Sequence, residues 1–199
     1  FSSTSHLSLL KALEKAGIDK KVELLDMQTA EIVAAWERGD IQAAYSWEPG
    51  LSKLKETGSV LIDSEMLAND GIVTANIDLV HTNFIEKHPE LVVDYIKTLD
   101  KSVELYKTKP DEAIDAASKQ LGLNREETKT QMEGTLWLRA EEQISDKYLG
   151  TSSNPGNFHT VFLQTAEFLK EQGNISEVPS LEVIHEFIDS SFIEKALGQ

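Results

Sequence analysis

The apolar positions of the first 80 residues switch between two spacings. In "LSLLKALEKAG", Leu7, Leu10 and Leu13 fall on one helical face, and Gly17 marks a stop. "KVELLD" (21–26) alternates as a strand does, and "TAEIVAAWERGD" returns to helical spacing, with Ile32, Val33 and Trp36 inward and Gly39 closing it. "IQAAYSW" (41–47) reads as a second strand. Pro49 fits the first turn of a short helix that ends near Gly58. "SVLIDS" (59–64) and "VTANIDLVHT" (73–82) complete the strands. Strands separated by helices predict βαβ units and a largely parallel sheet.

After Asn83 the pattern is helical throughout. "HPELVVDYIKTLDKSVELYKTKP" sets Val92, Tyr95, Ile96, Leu99 and Val103 at helical spacing. "PDEAIDAASKQLG" follows, and in "NREETKTQMEG" Asn124 is the cap with Glu127 three residues on. "TSSNPGN" (151–157) is a loop between helical stretches. "FHTVFLQTAEFLKEQG" and "PSLEVIHEFIDSSFIEKAL" supply the last two apolar stripes. The stripes at 89–107, 158–172 and 181–197 exceed what a small sheet over 21–80 can cover. They are therefore expected to pack on a segment outside this sequence or to bury themselves by dimerisation.

Composition narrows the chemistry. The 199 residues carry 19 Lys plus Arg against 34 Asp plus Glu, a net charge of −15. A general nucleic-acid binder needs a basic footprint, so nucleic acid is not an expected partner. A small anion is still compatible, because helix dipoles act locally against the global field. There is no cysteine, which removes disulfides and thiolate metal sites. No apolar run approaches the ~18 residues of a membrane span. "HEFID" (185–189) lacks the second His of a zinc helix, and there is no P-loop, GxGxxG or GxSxG. No metal, cofactor or catalytic residue is expected.

Taken together and in order, "FSSTSHLSLLKALEKAGI", "AEIVAAWERGDIQAAYSWEPGLSKLKETGSVLIDSE", "NFIEKHPELV" and "TAEFLKEQG" resemble the taurine and aliphatic-sulfonate periplasmic binding proteins of ABC importers. The resemblance runs along nearly the whole chain. It implies an α/β fold, a two-lobe clamshell of the type II periplasmic binding protein kind. Residues 1–78 would form the second α/β lobe with the ligand cleft. Residues 79–199 would hold the hinge return and the C-terminal helices that pack on the first lobe, which this sequence lacks. The implied function is extracytoplasmic capture of a small, taurine-like organosulfonate and its delivery to an ABC permease, with no enzymatic step. The implied location is the periplasm, or the cell surface as a lipoprotein in a Gram-positive cell, with membrane association only through a lipid anchor or the permease.

The same resemblance assigns roles to residues that also have plainer readings. Ser3 or Thr4 is a helix N-cap, and the free N–H groups of Thr4, Ser5 and His6 would hold a sulfonate, with the hydroxyls of Ser3, Thr4 and Ser5 as neutral donors. His6 is either a further donor or a packed, hydrogen-bonded ring. Trp47, at a strand end where parallel sheets place ligands, is either an apolar wall for the ligand carbons or a core aromatic. Glu48 pairs with a ligand ammonium or a hinge amide, or is a solvated turn residue; relatives can carry a small residue there. Asp70, Thr74 and Asn76 alternate with Val73 and Ala75 and offer one polar face to the cleft. The taurine branch has Asp where Asn76 stands, so Asp70 or Glu48 would supply the charge for an amine. Gln28, after "VELLD", completes the set. An alkanesulfonate, a nitrate-like anion or a thiamine-precursor pyrimidine are alternative ligands. An enzyme on the same two-lobe fold and a plain helical interaction domain are the alternatives from other classes.

Overall fold

The computed structural model describes residues 1–199, as twelve α-helices joined by turns and extended runs. In chain order they are α1 (Thr4–Ala16), α2 (Thr29–Arg38), α3 (Gly50–Lys55), α4 (Ser64–Asn69), α5 (Thr82–Lys87), α6 (Pro89–Thr108), α7 (Pro110–Leu121), α8 (Arg125–Glu133), α9 (Ala140–Gln143), α10 (Phe158–Glu171), α11 (Leu181–Phe187) and α12 (Ser191–Leu197). The β structure is a single isolated bridge between Gly150 and Pro155.

The helix ends follow the local chemistry of the sequence. Ser3 caps α1 and Gly17 ends it in the left-handed region at φ 67°. Asn124 caps α8 by accepting from the Glu127 amide at 2.9 Å, and the Glu127 carboxylate reaches back to the Asn124 amide. Pro89 and Pro110 open α6 and α7 at positions where the missing N–H costs nothing.

By contacts the chain divides into two units, residues 1–76 with 168–176 and residues 77–167 with 177–199. In the first, α1 packs with α4 and α2 with α3, around buried Leu7, Ala35, Leu54, Leu67 and Phe168. In the second, α6 packs with α5, α7 and α12, and α7 with α8, around Val92, Ile114, Ala140, Ile184, Phe192 and Ile193. An ion pair ties α6 to α9 in the second unit. Asp100 accepts from Arg139 Nε and Nη2 and from the Ala140 amide, each at 2.7 Å. The guanidinium holds the Asp100 carboxyl below its usual range, and in return Arg139 is raised.

The four segments that read as strands, 21–26, 41–47, 59–64 and 73–82, form no sheet. Residues 21–27, 41–47, 59–63 and 72–81 run without ladder partners, and each ends by serving a helix. Asp63 caps α4 through the Met66 amide at 2.8 Å, and His81 Nδ1 accepts from the Asn83 amide at the start of α5. The sequence pattern missed α4 because its six residues are too few to show a helical period and directly follow the apolar run Val60–Ile62. A strand needs a neighbour about 4.8 Å away to receive its N–H and C=O groups, and no segment of this chain supplies one.

This overturns the α/β fold and the type II two-lobe clamshell expected from the resemblance. It also overturns what depended on that architecture: capture of a taurine-like organosulfonate by lobe closure and its delivery to an ABC importer. Each lobe of a clamshell requires its own sheet and the hinge requires paired strands, and neither is present. A likeness of sequence to sulfonate-binding proteins remains; a periplasmic binding protein architecture does not.

Candidate functional site

The start of α1 is built by a run of hydroxyl residues. Ser3 lies in extended backbone; its Oγ accepts from the His6 amide at 3.2 Å and its carbonyl accepts from the Leu7 amide at 3.0 Å. The Thr4 and Ser5 amides have no intrahelical acceptor, as at any helix start. No acidic residue occupies the first turn of α1. The N-cap reading of Ser3 is therefore realised, and two donors at the positive end of the helix dipole remain.

His6 is a packed ring. It is 8% exposed, stacks on Phe1 at 4.5 Å between centroids and meets the edge of Phe168 at 5.6 Å. Its Nδ1 accepts the Ser2 amide at 3.0 Å, which places the ring proton on Nε2. Ser2 makes that bond from the left-handed region at φ 59°. Burial lowers the His6 pKa first, the terminal ammonium lowers it further, and Asp26 opposes both. His6 is thus neutral at pH 7 and brings an N–H, not a charge, to this end of the helix.

Asp26 is a residue that the sequence pattern did not single out. It accepts from the Phe1 ammonium at 2.6 Å, which brings the 26–28 loop to the start of α1. Its place at the end of "VELLD", immediately before a helix, is the signal that could have found it. Gln28 follows and opens α2, its amide donating to Glu31 at 2.8 Å. An open depression beside this loop is lined by Asp26, Met27, Glu31, Ala34, Ala35 and Arg38. The starts of α2 and α3 also meet. A Cβ on Gly50 would lie 2.3 Å from Thr29 Cγ2, so that position admits only glycine without a shift.

Trp47 and Glu48 sit at the start of α3. Trp47 is 55% exposed, so it is not a core aromatic. The Glu48 carboxylate accepts from the Ser52 amide at 3.0 Å and from the Ser52 hydroxyl at 2.6 Å, and so caps α3. The neighbouring Ser46 hydroxyl is buried without a partner.

Asp70, Thr74 and Asn76 are not assembled with the α1 start. Asp70 pairs with Lys15 in the last turn of α1. Eleven residues at ~1.5 Å rise put Lys15 about 16 Å along the helix from Thr4. Thr74 is half-buried and Asn76 exposed on the unpaired 72–81 run. Ser3, Thr4, Ser5 and His6 share one helix end, the loop before Gln28 touches that end, and Trp47 and Glu48 precede Gly50, which meets Thr29 at the α2 start.

Residues 1–129 match the family described as "Substrate binding domain of ABC-type glycine betaine transport system". The chain belongs to this family. It is also 33% identical over 201 residues to the "Taurine-binding periplasmic protein" of Escherichia coli (strain K12), covering 98% of this chain and 60% of that protein. A Bacillus subtilis (strain 168) protein named "Putative aliphatic sulfonates-binding protein" is 29% identical over 180 residues, covering 89% of this chain and 49% of that one. The chain thus spans 60% and 49% of the lengths of these relatives. The family and both relatives are named for binding, and none of them for a catalytic activity. Its place is extracytoplasmic, in the periplasm or at the cell surface. At the general level, the likenesses support an anion-binding, ABC-transporter-associated role.

Proposed function

We propose that this chain contributes the anion-holding element of an ABC-transporter-associated binding protein, and that the element is the start of α1. The observation that carries the reading is the pair of open amides at Thr4 and Ser5, set behind a satisfied Ser3 cap in a first turn free of carboxylates. Ser3 and Ser5 hydroxyls add neutral donors, and the neutral His6 ring closes the apolar side. A helix start of this kind favours a compact anion.

At the finer level the anion is a small sulfonate and the partner an ABC permease, in keeping with the relatives named for taurine and aliphatic sulfonates. The role assigned is contact with the anionic group, without lobe closure. Trp47, Gln28 and Glu48 are secondary contributors beside the α2 start, while Asp70, Thr74 and Asn76 would act only in a separate place.

The test removes one donor and keeps the helix. Thr4 is the first helical residue, where proline is tolerated and lacks the N–H. In amide NMR titrations of the full chain with taurine, the Ser5 and His6 signals should move. Thr4→Pro should weaken binding at least tenfold, since a hydrogen bond to a charged group contributes roughly 1.5–3 kcal/mol. Titration with glycine betaine tests a carboxylate in the same place. Shifts confined to residues outside 2–8, or an unchanged affinity in Thr4→Pro, would overturn the assignment.

A further inference from the structure

His159 is the second residue of α10 and is 3% exposed. Its Nε2 lies 3.1 Å from the Leu149 carbonyl, which can only accept, so Nε2 carries the ring proton. Its Nδ1 is buried with no hydrogen-bond partner. The ring of His185, exposed on α11, meets it edge-on at 4.7 Å and 79°.

The Leu149 carbonyl is also a knot of the 144–157 loop. It accepts the Gly156 amide at 2.8 Å, while Tyr148 accepts from Phe158 at 2.9 Å and Asp146 from Asn157 at 2.8 Å. The loop closes so tightly that a Cβ on Gly150 would lie 2.2 Å from the Gly156 nitrogen. The His159 ring therefore fastens the start of α10 to a tightly closed loop, with the His185 ring edge-on against it.

We propose that the His159–His185 pair is an acid-sensitive latch that holds the 144–157 loop to the start of α10. Protonation would put a second N–H and a positive charge at Nδ1, where nothing accepts them. The charged groups around it offer no relief. On the loop, Asp146 accepts from Asn154, and the Lys147 ammonium lies over Tyr148. On and after α11, Glu182 and Glu186 make no bond to the ring, and Asp189 accepts from the Ser191 amide. On its own helix, Glu167, Lys170 and Glu171 lie two or more turns away. From α12, the Glu194 carboxylate is engaged by the Ser152 amide of the loop at 3.3 Å. The charge of a protonated His185 would repel a proton on His159.

The direction in pH follows. Burial lowers the His159 pKa, and the Leu149 bond only partly offsets this. An opened latch takes up its proton near the ordinary imidazole value, ~6.5. The latch is therefore fully held above that pH and is lost as pH falls below it toward the depressed value. An extracytoplasmic protein meets the pH of its surroundings, so such a latch would register external acid.

The experiment is proton NMR titration of both imidazoles in the full chain, with hydrogen exchange at Gly150, Gly156 and Phe158 corrected for intrinsic rates. His159 should titrate below the ordinary imidazole value of ~6.5. Protection at the three amides should fall about tenfold or more between pH 7.5 and 5.0. In His159→Gln, whose amide can still donate to Leu149, protection should become independent of pH over that range. His185→Gln, which removes the repelling charge, should lessen the loss of protection at pH 5.0. A His159 midpoint at or above ~6.5, or protection that does not change in the wild-type protein, overturns the proposal even if a variant fails to fold.

Discussion

Val60 and Leu61 lie only a few residues before Leu67, and the structure treats them in opposite ways. Leu61 is 83% exposed on an extended run, whereas Leu67 is fully buried on α4. The difference lies in the backbone. α4 is closed by the Asp63 cap and the Asp63 carbonyl at its start and by the Ile72 amide on the Leu67 carbonyl at its end, so it can turn one face inward and stay there. The run before it has no partner strand, and alternation without a ladder leaves its side chains in water. The same contrast separates Leu25 and Trp47, both more than half exposed, from Leu7 and Ala35 on the adjacent helices.

The largest expected effect is at the buried side of this contrast. Leu67→Ala removes a fully enclosed side chain and should cost about 2–5 kcal/mol, read as a fall in the urea midpoint at unchanged slope. A loss below ~1 kcal/mol would mean that α4 is no better packed than the run before it, and the contrast would collapse.

How much could be read beforehand follows the same division. The helices were legible because their signals are local: Ser3, Gly17, Gly39 and Asn124 announce ends within a few residues, and period 3.6 needs no second segment. The sheet was misread because alternation states only that a strand could form if a partner were offered. The candidate site was legible at Ser3–His6, where a hydroxyl run precedes a helix, and Ser3 does cap it. It was not legible at Asp26, whose approach to Phe1 joins positions 25 residues apart, or at Phe168, which reaches His6 from the far end of the sequence. Nor did the pattern reveal that Asp70 would be engaged by Lys15 at the wrong end of α1.

An intermediate effect is expected in the second unit, where polar rather than apolar groups lock helices together. Asp100→Ala strips Arg139 and the Ala140 amide of their acceptor. It should cost about 1–2 kcal/mol, near the low end for charge-assisted bonds because the pair is partly solvated. The wild-type pair also carries a pH signature. Arg139 lowers the Asp100 pKa, so its contribution is complete above the unfolded carboxyl value of ~3.9 and is lost as pH falls through and below it. Unfolding scans from pH 7 to 3 should show this acid loss, and Asp100→Ala should flatten it. An equally steep acid loss in the variant would assign it to other carboxylates.

The smallest expected effect completes the contrast. Leu61→Ser replaces an apolar side chain that already stands in water, so the folded and unfolded chains lose similar contacts. The change should stay within about 0.5 kcal/mol, against several for Leu67→Ala a short distance along the same segment. It should instead act on self-association, because exposed Val60, Leu61 and Leu25 are the kind of surface that draws chains together. Light scattering at rising concentration would then show less association for Leu61→Ser than for the wild-type protein at equal stability. A stability loss above ~1.5 kcal/mol would instead mean that Leu61 is covered in solution. The 59–63 run would then have a partner after all, and the difference between the helices and the extended runs would be one of occupancy rather than of backbone.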